Sequence, residues 1–188
     1  MQVDVAGTRL EVHQLLCGRD IAKDIRGNLI HQYAYQMANY VYLVVDPDSK
    51  DAFVVDPAWD VDGIFEYCAD EGVKCTKAFF THRHFDHTGG YVPKEMVHSS
   101  DPIVLPGLLD FRKHQVPVYV GARDVSAVAH QCRIDVSEIN ALENGESFKI
   151  GPTEKLIVLN TPGHTPGSVC FALAAGDTTQ SCTLLFSK

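Results

Sequence analysis

The stretch Thr81-His82-Arg83-His84-Phe85-Asp86-His87-Thr88-Gly89-Gly90 constrains this chain more than any other. Three imidazoles and a carboxylate fall within six positions, in the spacing His-x-His-x-Asp-His. The run Lys77-Ala78-Phe79-Phe80 before it reads as a buried strand. Side chains two apart in an extended segment point the same way, so His82 and His84 can grip one metal ion together. Asp86 and His87 lie just past the strand end, where the chain can turn and aim them at a second ion. Thr88-Gly89-Gly90 suits a tight turn into a helix. A solitary histidine is ordinarily a satisfied core or surface residue. Four ligand residues packed together at a strand end make the pattern of a metal site.

The rest of the chain sets bounds on this reading. Its 188 residues suit one domain, or one domain and a fragment of another. A formal charge of −8 argues against a nucleic-acid partner, which needs a basic face. The six cysteines contain no Cys-x-x-Cys pair and sit mostly inside apolar patterns, so reduced, buried thiols are expected. Residues 1–20 lack the apolar core of a secretory signal, and no stretch is long enough to span a membrane. The expectation is a cytoplasmic protein, with a mitochondrial address left open.

Residues 1–38 form an N-terminal strand and loop segment expected to pack on a domain spanning 39–188. Val3, Val5, Leu10 and Val12 suit an opening strand pair turning at Gly7, with a polar loop from Gly18 to Gly27. His13 and His31 have no ligand company there. From Asn39 the pattern sharpens into a hairpin: strand 41–45, turn 46–50, strand 52–55. Val61, Ile64, Phe65 and Cys68 share one helical face, with Asp60 as N-cap and Gly72 as the stop. Residues 91–115 are broken by prolines and read as a helix start followed by a long loop; His98 and His114 within it are expected to be surface residues. Strands follow at 117–120, 145–151 and 156–159, with a helix through Val125, Val128, Ala129 and Cys132. The alternation predicts a layered α/β protein.

The strand at 156–159 runs into Thr161-Pro162-Gly163-His164-Thr165-Pro166-Gly167-Ser168, where prolines and glycines fix the direction of one imidazole. Taken alone it is a turn with an exposed histidine. Beside the first cluster it offers the third nitrogen of a His82/His84/His164 set. Together with Val54-Val55-Asp56-Pro57, these motifs resemble the metallo-β-lactamase superfamily. The segment from Asn39 to Asp46, the hairpin and the helix–strand lead-in are similar to its glyoxalase II (hydroxyacylglutathione hydrolase) branch.

The resemblance runs from Asn39 to the C-terminus and implies an αββα sandwich with two metal ions, normally zinc, at one edge. It makes His82, His84 and His164 ligands of the first ion, and Asp86 and His87 ligands of the second, with Asp86 also placed in the catalytic centre. Asp56 becomes a supporting carboxylate beside the metals. The implied reaction is hydrolysis of a small thioester by a metal-bound hydroxide. The family also has a bridging Asp in a Gly-Asp pair and a final His; neither has a clear counterpart before Lys188, so the C-terminal half is expected to be incomplete. Gly176-Asp177 imitates the pair but falls where a hairpin turn is expected. Arg83 departs from the glyoxalase II pattern and leaves the substrate open. A mononuclear-iron persulfide dioxygenase, using the three histidines alone, and a non-catalytic remnant are the alternatives. The oligomeric state is not legible.

Overall fold

The computed structural model describes residues 2–4, 7–94, 103–175 and 182–186. Expectations resting on His98 and Asp177 lie outside these residues.

The opening strands β1 (Gln2–Asp4) and β2 (Glu11–Leu16) are antiparallel, as the valine spacing predicts. Helix α1 (Leu29–Met37) follows, capped by Asn28, whose side chain accepts from the amides of Ile30 and His31. The sequence does not advertise this helix because its apolar face is weak: only Ala34 is buried. Next come β3 (Tyr40–Val45) and β4 (Asp51–Val55), the expected hairpin. The Asp46 carboxylate ties its turn by accepting from the amides of Asp48 and Ser49. Helix α2 (Val61–Asp70) buries Val61, Ile64 and Cys68, and its Asp60 cap accepts from Gly63 N at 3.0 Å. Such a cap contributes about 1 kcal/mol. Gly72, at φ +65°, turns the chain into β5 (Lys74–Phe80).

Beyond β5 the structure departs from the sequence reading twice. The helix comes before the glycine pair, not after it: α3 (Phe85–Thr88) ends at Gly89, and the chain then enters β6 (Gly90–Val92). Both glycines have positive φ, and a Cβ at Gly89 would lie 2.6 Å from the Pro106 carbonyl oxygen. The pair therefore serves a close backbone approach. The described residues between 91 and 115 also hold more order than their prolines suggest. Strand β6 pairs antiparallel with β7 (Ile103–Leu105), and α4 (Leu108–Lys113) follows, burying Leu108 and Phe111.

The remaining elements are β8 (Val118–Gly121), α5 (Val125–Cys132), a 3₁₀ turn at Val136–Glu138, β9 (Asn140–Leu142), β10 (Ser147–Ile150), β11 (Glu154–Asn160), β12 (Val169–Ala175) and β13 (Cys182–Phe186). Strand β9 is silent in the sequence because Asn140-Ala141-Leu142 is too short to show alternation.

Two sheets result. Seven strands run in the order β1-β2-β3-β4-β5-β8-β9, antiparallel from β1 to β4 and parallel from β4 to β9. Strands β10 to β13 form an antiparallel meander. Between the sheets lies one core, with Val44, Phe53, Val55 and Phe79 facing Leu156, Val158, Phe171 and Leu173. The second core joins the outer face of the larger sheet to α1, α2, α4 and α5. The described residues thus stack as helices, sheet, sheet. Strand β2 extends the main sheet through β3, so residues before 39 belong to its hydrogen-bonded framework.

Candidate metal centre

In an open α/β sheet, ligand sites collect where parallel strands end at their carboxyl edge. Strands β4, β5 and β8 release Asp56, the 81–87 segment and Asp124 at that edge. The second sheet meets them there, because Val169 N donates to Thr81 O at 2.9 Å where β12 begins. Gly121 and Gly167 permit the approach: a Cβ on Gly121 would sit 2.0 Å from the Gly167 carbonyl oxygen.

His82 and His84 lie beyond the last strand residue, Phe80, in a bend that leads to the N-cap of α3. Their rings still converge, with centroids 4.8 Å apart. The His164 ring lies 4.7 Å from that of His82 and 4.6 Å from that of His84. One nitrogen from each lies within 4.8 Å of the others, and His164 Nε2 is 3.0 Å from His84 Nδ1. Two nitrogens bound tetrahedrally to one zinc at about 2.0–2.1 Å are about 3.3 Å apart. The donor set therefore fits a zinc ion, with ring rotation able to close the widest gap. His82 is buried, His84 half-buried and His164 exposed, so the cluster opens to solvent.

Asp86 and His87 sit on α3, both buried. The His82 and His87 rings are 4.3 Å apart, which sets this second group directly beside the first. His87 Nε2 lies 3.2 Å from Asp86 Oδ2, and Asn39 Nδ2 reaches both, at 3.0 Å from the carboxylate and 3.2 Å from the ring nitrogen. Asn39, immediately before β3, has no role that sequence alone suggests. It lies 47 residues from Asp86, and no local spacing connects them.

Asp56 organises both groups. It adopts φ +53°, a left-handed conformation uncommon outside glycine, and is buried. Its carboxylate accepts from Thr81 N and Thr81 Oγ1, both at 2.7 Å, and meets His87 Nδ1 at 2.9 Å. Because the Thr81 hydroxyl donates to Asp56, it can only accept from His82 Nδ1, 3.0 Å away. That puts the His82 proton on Nδ1 and its lone pair on Nε2, the arrangement a ligand requires. Burial by itself would lower the His87 pKa. The Asp56 charge and hydrogen bond, with Asp86 behind them, outweigh burial and raise it to about 9.

Asp124 is the residue that sequence reasoning missed. It precedes α5, where an Asp suggests an N-cap, yet its side chain makes no cap bond. Instead, fully buried, it accepts from Arg83 N at 3.1 Å, from Gly167 N at 3.0 Å and from Thr165 Oγ1. One carboxylate thus ties the His82–His84 segment to the His164 loop.

The other histidines stand apart. His114 is exposed and packs on Phe65 with ring centroids 4.4 Å apart. His13 is buried, with Nδ1 3.0 Å from the Tyr67 hydroxyl.

An α/β sandwich with a histidine-rich donor set at one sheet edge defines a class of metal-binding proteins. The metallo-beta-lactamase superfamily profile matches residues 35–187, and the chain belongs to that superfamily. It is 29% identical over 162 residues to a "Probable polyketide biosynthesis zinc-dependent hydrolase" of Bacillus velezensis, covering 81% of this chain and 63% of that one. A "Hydroxyacylglutathione hydrolase" of Gloeobacter violaceus is 30% identical, over 78% of this chain and 48% of its own length. The chain therefore spans about half to under two thirds of the length of these relatives. Among solved structures, a metallo-beta-lactamase from Staphylococcus aureus aligns over 96% of this chain and 42% of its own, with a TM-score of 0.63 at 21% identity. ETHE1 from Myxococcus xanthus aligns over 86% of this chain and 53% of its own, with a TM-score of 0.54 at 20% identity. These likenesses concern the fold.

Proposed function

We propose that this protein is a zinc-dependent hydrolase of a small thioester such as a hydroxyacylglutathione. The observation that carries the reading is the convergence of His82, His84 and His164 from loops 80 residues apart on a cluster that fits zinc. The names of the relatives support hydrolysis and, in the second case, a glutathione thioester.

His82, His84 and His164 hold the first ion in this reading, and Asp86 and His87 contribute to a second. Bound zinc supplies a Lewis acid that brings the pKa of water toward about 7 and polarises a carbonyl. Asp56 keeps the His82 proton on Nδ1 through Thr81 and holds His87 by Nδ1, so each ring presents Nε2. Asn39 Nδ2 orients the Asp86 carboxylate beside His87. Thiolate is a good leaving group, so the chemistry asks for no strong general acid. Buried, unbridged thiols at Cys17, Cys68, Cys75, Cys132 and Cys170 support a cytoplasmic location. No helix among the described residues is long and apolar enough to cross a membrane.

The test is metal analysis joined to a thioesterase assay. Zinc-dependent cleavage of S-lactoylglutathione, lost in His84→Ala, is the expected result. Turnover that survives both zinc removal and His84→Ala would overturn the proposal. So would a single iron per chain with oxygen consumption, which belongs to the dioxygenase reading. Metal binding with no cleavage would leave the remnant reading in its place.

A further inference from the structure

The sequence is acidic, with 16 Lys and Arg against 24 Asp and Glu, yet several cations gather at one place beside the histidines. A groove of about 520 Å³ runs from His84 between α5 and β6. Arg83 stands at its histidine end, Tyr91 and Lys94 form one wall, and His130 and Arg133 come from the other. No carboxylate is among the described residues that line it.

Arg83, Lys94 and Arg133 are exposed, and none of them forms an ion pair among the described residues. The walls are nonetheless fixed. Gln131 Nε2 donates to Thr88 Oγ1 at 2.9 Å and to Gly89 O at 2.6 Å, which fastens α5 to the turn before β6. Arg133 follows the last turn of α5 and lays its guanidinium over the Tyr91 ring, 3.7 Å from the centroid. Stacking on the ring leaves the edge of a guanidinium open, and that edge is a fork of N–H donors matched to carboxylate or phosphate oxygens. Among the described residues no counter-charge pairs with these three cations, so they repel one another, and a bound anion relieves the repulsion.

We propose that this groove seats an oxyanionic group of the substrate, a phosphate or a carboxylate, remote from the reacting carbon held at His82, His84 and His164. What the anion is attached to rests on the hydrolase reading above; the groove's affinity for the anion does not. The substrate class becomes a thioester with an anionic tail, anchored through Arg133 and Lys94.

Calorimetric titration of the metal-free protein with inorganic pyrophosphate and, separately, with succinate tests this without turnover. Saturable binding is expected, weakened about tenfold by Arg133→Glu or Lys94→Glu and unchanged by Lys50→Glu, which makes the same charge change on the distant β3–β4 turn. The tighter of the two probes identifies the source of the anion, phosphate or carboxylate. Absence of binding by both probes, equal weakening by Lys50→Glu, or indifference to both groove variants would overturn the proposal. In the zinc-loaded protein, Arg133→Glu should raise KM for an anionic thioester and leave a neutral thioester with the same acyl group unaffected. Equal effects on the two substrates would also overturn it. Failure of the hydrolase reading looks different: anion binding persists while no thioester is cleaved.

Discussion

The Asp124 carboxylate is expected to act on metal affinity by holding together the two loops that carry the proposed ligands. Its Oδ2 accepts from Arg83 N on one side and from Thr165 Oγ1 on the other, and its Oδ1 accepts from Gly167 N. Asp124→Ala strips three donors of their acceptor. At about 1–3 kcal/mol for each donor left unsatisfied, the loss is on the order of 3–9 kcal/mol, a large part of the stability of a domain this size. Asp124→Asn is the sharper probe. Its amide keeps the shape but presents one oxygen: placed where Oδ2 was, it still serves Arg83 N and Thr165 Oγ1, and the NH₂ group then opposes Gly167 N in the His164 loop. About 2 kcal/mol of lost stability is expected, with the protein still folded. Zinc affinity, measured by chelator competition on the folded protein, should fall about 10–100-fold, as when a group orienting a ligand is lost. The decisive background is His164→Ala, where the second loop no longer contributes its proposed ligand. There Asp124→Asn should cost little further affinity. An equal loss in both backgrounds would refute the reasoning and assign Asp124 to general stability.

Three further outcomes follow from the same geometry. His84→Ala should abolish tight zinc binding, whereas His114→Ala should leave it intact, because His114 only packs on Phe65; equilibrium dialysis separates the two. In the zinc-free protein His87 holds its proton up to about pH 9, against about 6.5 in the unfolded chain. Between those values the folded state binds the extra proton, so stability is fully present below about 6.5 and is lost as pH rises through about 9, by at most about 3 kcal/mol. Urea midpoints across that range should show the decline, and His87→Gln should flatten it. Phe79 packs its ring on Phe53, Tyr119, Phe148 and Phe171 between the sheets, so Phe79→Ala should cost about 3–5 kcal/mol in denaturant titration.

Features that rest on local physics are legible in the order of residues alone. The alternation of β3 and β4, the apolar face and Asp60 cap of α2, and the apolar run of β11 each follow from spacings within a dozen residues. The dense group His82-His84-Asp86-His87 and the rigid loop around His164 announce donors for the same reason. Where local signals are weak, they mislead. The prolines between 91 and 115 conceal β6, β7 and α4, whose backbones are held by one another and by core contacts of Leu105, Leu108 and Phe111. The glycines at 89 and 90 suggest a turn into a helix, although their conformation answers a close approach by residues 105–107.

Only tertiary structure could decide which donors meet. A ligand set depends on distances of a few ångströms between side chains, and those are fixed by which strands lie side by side. The parallel crossover from β4 to β5 to β8 brings Asp56, His82 and Asp124 to one edge, and the second sheet carries His164 to the same place. Asn39 and Asp124 gain their roles there, 47 residues from Asp86 and 41 from Arg83, where no periodicity in a chain can reach.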